Sequence, residues 1–101
     1  MEIKFAQEDG RLVISIIGDL DNAAVSEAEK LLNRVFTQEE FDILIDCSQL
    51  NYIASKGLRM LINLYKHQRE NDLQCFITQM NKHVKNVLNT GGFLTIYQEI
   101  E

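Results

Sequence analysis

The chain has 101 residues and a net charge of −5 at neutral pH; 46% of residues are hydrophobic and 25% charged, and Trp and Pro are absent. That length predicts one domain, residues 1–101, with a core but no room for a deep catalytic cleft as well, and the acidic balance offers no basic stripe to neutralise nucleic-acid phosphates. The longest apolar runs, "LVISIIG" and "FDILIDC", have strand length and argue against direct membrane insertion, while "MEIKFAQEDG" lacks the basic and apolar regions of a secretory leader, so a cytoplasmic protein is expected.

"IKFAQEDGRLVISIIG" opens the chain with two apolar segments around Asp9-Gly10, a dipeptide that tolerates positive φ in a tight turn. It predicts a hairpin with strands near 3–7 and 11–17, the second apolar on both faces and therefore interior. In "GDLDNAAVSEAEKLLNRVFTQ", Gly18 breaks the strand and Asp21 is placed to cap a helix. Ala24, Ala28, Leu31, Leu32 and Val35 recur at helical spacing as its inward face.

"FDILIDC" (41–47) reads as a third strand and "SQLNYI" as a loop. A second helix is predicted from Ser55 to about Asn71, with Leu58, Leu61, Ile62 and Tyr65 facing the sheet. Lys56, Arg59, Asn63, Lys66, His67 and Glu70 fall on its other side. "LQCFIT" (73–78) is a fourth strand. "NKHVKNVLNTGG" is a short helix capped by Asn81, with Val84, Val87 and Leu88 inward and Gly91 ending it. "FLTIYQEI" is the last strand. The order ββαβαβαβ implies an α/β fold with a mixed, mostly parallel sheet and right-handed crossovers.

Little in this pattern suggests catalysis. Cys47 and Cys75 lie in apolar runs far apart and read as buried, reduced thiols. No metal-ligand spacing, GxSxG turn or phosphate-cradling glycine loop occurs, and no cofactor is expected. Asp19 and Asp21 share a loop, where turn and cap roles explain them. His67 and His83 read as exposed helix-surface residues.

The junction "NYIASKGLRMLINLYKH" (51–67) is harder to dismiss. Ser55 can be an ordinary N-cap, its hydroxyl accepting an N–H one turn on. Two features are then left over. Gly57 costs a helix about 1 kcal/mol relative to Ala. Lys56 and Arg59 place positive charge near the helix end where it opposes the dipole. A phosphate on Ser55 would meet free N–H groups and both cations. From the residues alone, cap and phosphate acceptor stay open as two readings.

The strand, loop and helix of "LIDCSQLNYIASKGLRMLINLYK" resemble the Asp-Ser-Ser-Gly-Leu-like turn of the STAS domain, and in particular of the bacterial anti-sigma-factor antagonists. "ISIIGDLDNAAV" is similar to the family's strand ending in Gly-(Asp/Glu)-Leu-Asp. "FITQMNKHVKNVLNTGGFLTIYQ" is similar to its fourth strand, third helix and Gly-containing turn. Three segments in the right order cover nearly the whole chain.

The resemblance implies a partner switch. The unmodified domain binds an anti-sigma factor that is also a serine kinase; phosphorylation of a serine at the start of the second helix breaks the complex, and a serine phosphatase resets it. Ser55 matches the acceptor position, and Gly57 and Leu58 match the residues after it. The implied partner surface comprises Asp19, Asp21, Asn22, Ala54, Ser55, Lys56, Gly57, Arg59, Met60, Asn63 and Asn81. Helical phase puts Met60 outward beside Lys56 and Asn63, as a docking contact or as the edge of the core. Two departures stand out: Ala54 replaces the family's usual Asp, and Lys56 replaces a small residue. They support a second reading, a non-switching accessory subunit of a membrane transport or other signalling assembly. The family often ends with a further helix; here it is absent or very short, or a partner covers the surface it would have covered.

Overall fold

The computed structural model describes residues 1–37, 41–90 and 98–100, with side chains described for 1–33 and 41–90. Strands β1 (Glu2–Glu8) and β2 (Arg11–Leu20) pair antiparallel, with Glu8 opposite Arg11. Asp9 and Gly10 form the two-residue turn between them, with φ of 54° and 77°. Two consecutive positive φ values match the twist of a hairpin, which is why Asp-Gly suits this joint.

After β2 come α1 (Val25–Thr37), β3 (Asp42–Asp46), β4 (Leu50–Ile53), α2 (Ser55–Glu70), β5 (Cys75–Thr78), α3 (Lys82–Thr90) and β6 (Gln98–Ile100). The order ββαβαβαβ therefore holds, with one short strand added. The sheet runs β1-β2-β3-β5-β6, with β4 joined to β2, and every pairing after the hairpin is parallel. The added strand β4 lies where the sequence reads as a loop. It is four residues long, buries only Leu50 and Ile53, and so lacks a two-residue alternation. β2 is long enough to serve two partners: its first half pairs β3, and Gly18–Leu20 pair β4 with a register shift between Gly18 and Asp19. The last strand is seen only as Gln98–Ile100. The expected start of that strand at 93–97 and the helix stop at Gly91 lie outside the described residues.

Registered neighbours share a face of the sheet. Leu12, Ile14, Ile16, Ile43, Ile45, Cys75 and Ile77 all point one way, into a single core with Val25, Ala28 and Leu32 of α1, Leu61 and Leu64 of α2, and Val84 and Leu88 of α3. All three helices thus cover the same face. Successive parallel crossovers that step the same way along a sheet produce this arrangement. Each fully buried Leu or Ile contributes about 1.5–3 kcal/mol.

Two helix faces differ from their sequence patterns. In α1, Leu31 is exposed (39%) instead of inward, and Val25 is buried in the first turn; the Val35 side chain is outside the described residues. In α2 the buried row is Gly57, Met60, Leu61, Leu64 and Gln68, whereas Leu58, Ile62 and Tyr65 are only half-buried. Gln68 is fully buried because its amide donates to the Phe41 carbonyl at 2.7 Å, tying α2 to the start of β3. A polar side chain with such a partner can lie inside. Neither Cys47 nor Cys75 is in a disulfide, and both are buried, as expected.

Candidate functional site

Leu20 and Ile53 are paired across the parallel β2–β4 ladder. The chain therefore leaves the sheet at two adjacent points on one end, toward α1 and toward α2. The carboxyl ends of parallel strands are where open α/β sheets place their sites.

The start of α2 is built by backbone contacts. The Ala54 N–H donates to the Leu20 carbonyl at 3.0 Å, and the Ala54 carbonyl accepts the Leu58 N–H at 3.0 Å. With φ −94° and ψ 171°, Ala54 is the N-cap, and no side chain caps the helix. This corrects the expectation that the Ser55 hydroxyl is the cap. Ser55 is one position further on, the first helical residue, and it is exposed. No carboxylate or hydroxyl stands at the position where a side chain caps a helix best. The first turn also holds no acidic residue, so its unpaired N–H groups face solvent beside Lys56 and Arg59, both exposed.

Gly57 explains itself by contact. A β-carbon there would stand 2.9 Å from Leu20 Cδ2 and 3.0 Å from Ile53 Cγ1. The glycine lets α2 rest directly on the β2–β4 pair. Ala54 (8% exposed) and Gly57 are thus buried beneath the site and offer a partner little surface. Met60 is corrected from an outward position: it is 4% exposed and belongs to the core. It sits on the side of α2 that meets α1, which sequence phase cannot reveal without knowing where α1 packs.

On the neighbouring loop, Asp21 Oδ1 accepts the Ala24 N–H at 2.8 Å, so it caps the turn ahead of α1 and not the helix proper. Asp19 and Asn22 are exposed. Asn22 joins Val25, Ser26 and Glu29 of α1 and Lys56, Arg59, Met60 and Asn63 of α2 around a hollow of about 260 Å³. A second hollow of about 650 Å³ continues it between the helices, lined by Glu29, Lys30, Asn33, Met60 and Asn63. The sequence reading missed the α1 side of this groove. Its available signal was the polar row Ser26, Glu29 and Asn33 at i, i+3 and i+7.

Asn81 is placed differently. Its Oδ1 accepts the Val84 N–H at 2.8 Å, the cap expected of it, and its Nδ2 donates to the carbonyls of Leu50 (3.1 Å) and Asn51 (3.2 Å). It clips α3 to β4 and lines neither hollow. Beside it, the Tyr52 and His83 rings stack at 5.1 Å between centroids and 16°, so the exposed histidine has a partner.

Among the described residues no group of three or more His, Cys, Asp or Glu side chains could hold a metal ion, and no helix is long and apolar enough to cross a membrane. Burial and the neighbouring Asp46 push the Cys47 thiol up to about 12, which removes it as a nucleophile. What the end of the sheet presents is a surface: an exposed hydroxyl, bare helix amides, two cations and a groove.

Comparison with known proteins gives a family from the sequence and a shared fold from solved structures. The STAS domain model matches residues 2–101. A Bordetella bronchiseptica protein named as a candidate anti-sigma factor antagonist, BtrV, is 27% identical over 97 residues, covering 96% of this chain and 84% of that protein. The crystal structure of a candidate anti-sigma factor antagonist from Thermotoga maritima superposes with a TM-score of 0.89 at 15% identity, over 98% of this chain and 86% of that one. SpoIIAA, an anti-sigma factor antagonist, superposes in its unphosphorylated form with a TM-score of 0.81 at 14% identity, over 99% and 89%. The phosphorylated form of the Bacillus protein gives 0.74 at 14% identity, over 99% and 92%.

Proposed function

This chain belongs to the STAS domain family, and from that premise we propose that it is an anti-sigma-factor antagonist whose partner binding is switched off by phosphorylation of Ser55. It is a binding module, not an enzyme. In the unmodified state the end of the sheet around Ser55 docks on an anti-sigma factor that is also a serine kinase, in the cytoplasm. A serine phosphatase restores the bound state.

The observation that supports this best is the placement of Ser55: exposed, first in α2, next to amides that no side chain caps. A kinase can reach such a hydroxyl. The phosphate would bring roughly −1.5 to −2 charges. Within a docked surface that charge must be desolvated against the partner, and the complex opens. Lys56 and Arg59 would share the phosphate and lose their own role in docking.

Intact-mass measurement on protein from its native cells tests the switch. The expected result is an added phosphate that is lost in Ser55→Ala. In pull-downs, Ser55→Asp should lose the partner that the unmodified chain retains. The buried Ala54, in place of the family's usual Asp, favours a second reading, the non-switching accessory subunit. Absence of phosphate together with equal binding by Ser55→Asp would select it.

A further inference from the structure

The cations around Ser55 are unusual for this chain. Helix α2 carries Lys56, Arg59, Lys66 and Arg69 against the single carboxylate of Glu70, within a chain of net charge −5. Among the described residues that line the two hollows, Lys30, Lys56 and Arg59 stand against the one carboxylate of Glu29. Lys4 pairs with Glu2 at 3.8 Å on β1; among the described residues Lys56 and Arg59 have no carboxylate at that range. Both also lie near the positive end of the α2 dipole, where their charge is unfavourable until an anion arrives. The floor of the groove is apolar, made by the buried Met60 and Val25.

We propose that the α1–α2 groove receives an acidic segment of the partner protein, with its carboxylates on Lys56 and Arg59 and an apolar side chain over Met60. This deepens the docking reading above and rests on it. The groove does not suit a nucleic-acid backbone: Glu29 lies inside it, its floor is apolar, and the chain as a whole carries a net charge of −5. A peptide that alternates acidic and apolar residues satisfies both the cations and the floor. The proposal also gives the phosphate on Ser55 a second effect, because it would compete with those carboxylates for Lys56 and Arg59 from the adjacent position.

The test uses the unphosphorylated chain, labelled with nitrogen-15, and a short peptide alternating glutamate and leucine. A control peptide has glutamine at each glutamate. The acidic peptide should shift the amides of Ser26, Lys56, Arg59 and Asn63 in a saturable way that weakens as salt is added. Replacing both cations (Lys56→Ala with Arg59→Ala) should weaken it about tenfold; both are exposed, and an otherwise unchanged spectrum confirms the fold. Equal shifts from the glutamine peptide, shifts away from the groove, or no shifts overturn the proposal, as does a stronger response of the same amides to a short DNA duplex. None of these readouts depends on phosphorylation of Ser55. A chain that binds the acidic peptide but is never phosphorylated would sink the switch and leave the groove standing.

Discussion

Gly57 of α2 lies against Leu20 of β2 with no room for one more carbon. A β-carbon at position 57 would be 2.9 Å from Leu20 Cδ2 and 3.0 Å from its Cγ. Leu20 is fully buried, so its side chain has little room to swing away, and the Ala54 N–H bond to its carbonyl holds its backbone in place. The height of α2 over the sheet, and with it the exposure of Ser55, is fixed by this contact. The glycine that weakens the helix locally is what seats the helix.

Gly57→Ala should therefore destabilise the domain in spite of alanine's better helix propensity. Overpacking costs about 1–3 kcal/mol and propensity returns about 1 kcal/mol. A net loss of about 1 kcal/mol in denaturant unfolding is expected, and Gly57→Val should lose more. A rise in stability in Gly57→Ala would show that the contact with Leu20 relaxes without cost.

Asn81 makes a comparable claim on the other side of the site. Asn81→Ala removes a helix cap and leaves two β4 carbonyls without a donor. Loss of the cap alone costs about 1 kcal/mol, and the clip adds to it. Asn81→Ser should recover the cap but not the clip, giving an intermediate stability. If Asn81 were instead a pure docking residue, both variants would melt like the parent and lose only partner binding.

The same two residues show how far a sequence can be read. The Asp9-Gly10 turn and the Asn81 cap were legible because each is a local rule: a residue type and its neighbours a few positions away. The start of a helix at Ser55 was legible for the same reason, as a loop giving way to a helix period. β4 was not, because Leu50–Ile53 is held by its pairing with β2 and carries no alternation of its own. The α2 face was read one position off because Gly57, Met60 and Gln68 do not look like core residues. Each is buried for a tertiary reason: contact with Leu20, contact with α1, and a bond to the Phe41 carbonyl. The groove depends on α1 packing beside α2, and spacing within either helix says nothing of that.

Cys47 gives a pH prediction. Burial is the larger cause and Asp46 the smaller, and together they raise its thiol from 9.0 to about 12. The folded pKa is thus above the unfolded one. The thiol's contribution is fully present below pH 9.0 and is lost as the pH rises toward 12, because the unfolded chain releases its proton first. Within that window the slope approaches 1.4 kcal/mol per pH unit. Urea unfolding followed across alkaline pH should show this decline, and Cys47→Ala should flatten it. An unchanged slope in the variant would assign the decline to other groups.

The last prediction separates binding from stability at Ser55. Ala54 leaves α2 without a side-chain cap, and Lys56 adds positive charge to its first turn. Ser55→Asp places a carboxylate at the first helical position, where the dipole and Lys56 both favour it. The gain should be about 0.3–1 kcal/mol at low ionic strength and should shrink as salt screens it. The same variant is expected to lose its partner. A switch whose off state is the better-folded one has a direct consequence: loss of binding in Ser55→Asp cannot be put down to unfolding. Thermal melts of Ser55→Asp and Ser55→Ala at low and high salt check it. If Ser55→Asp melts below Ser55→Ala at low salt, the uncapped helix end is not the feature that receives the charge.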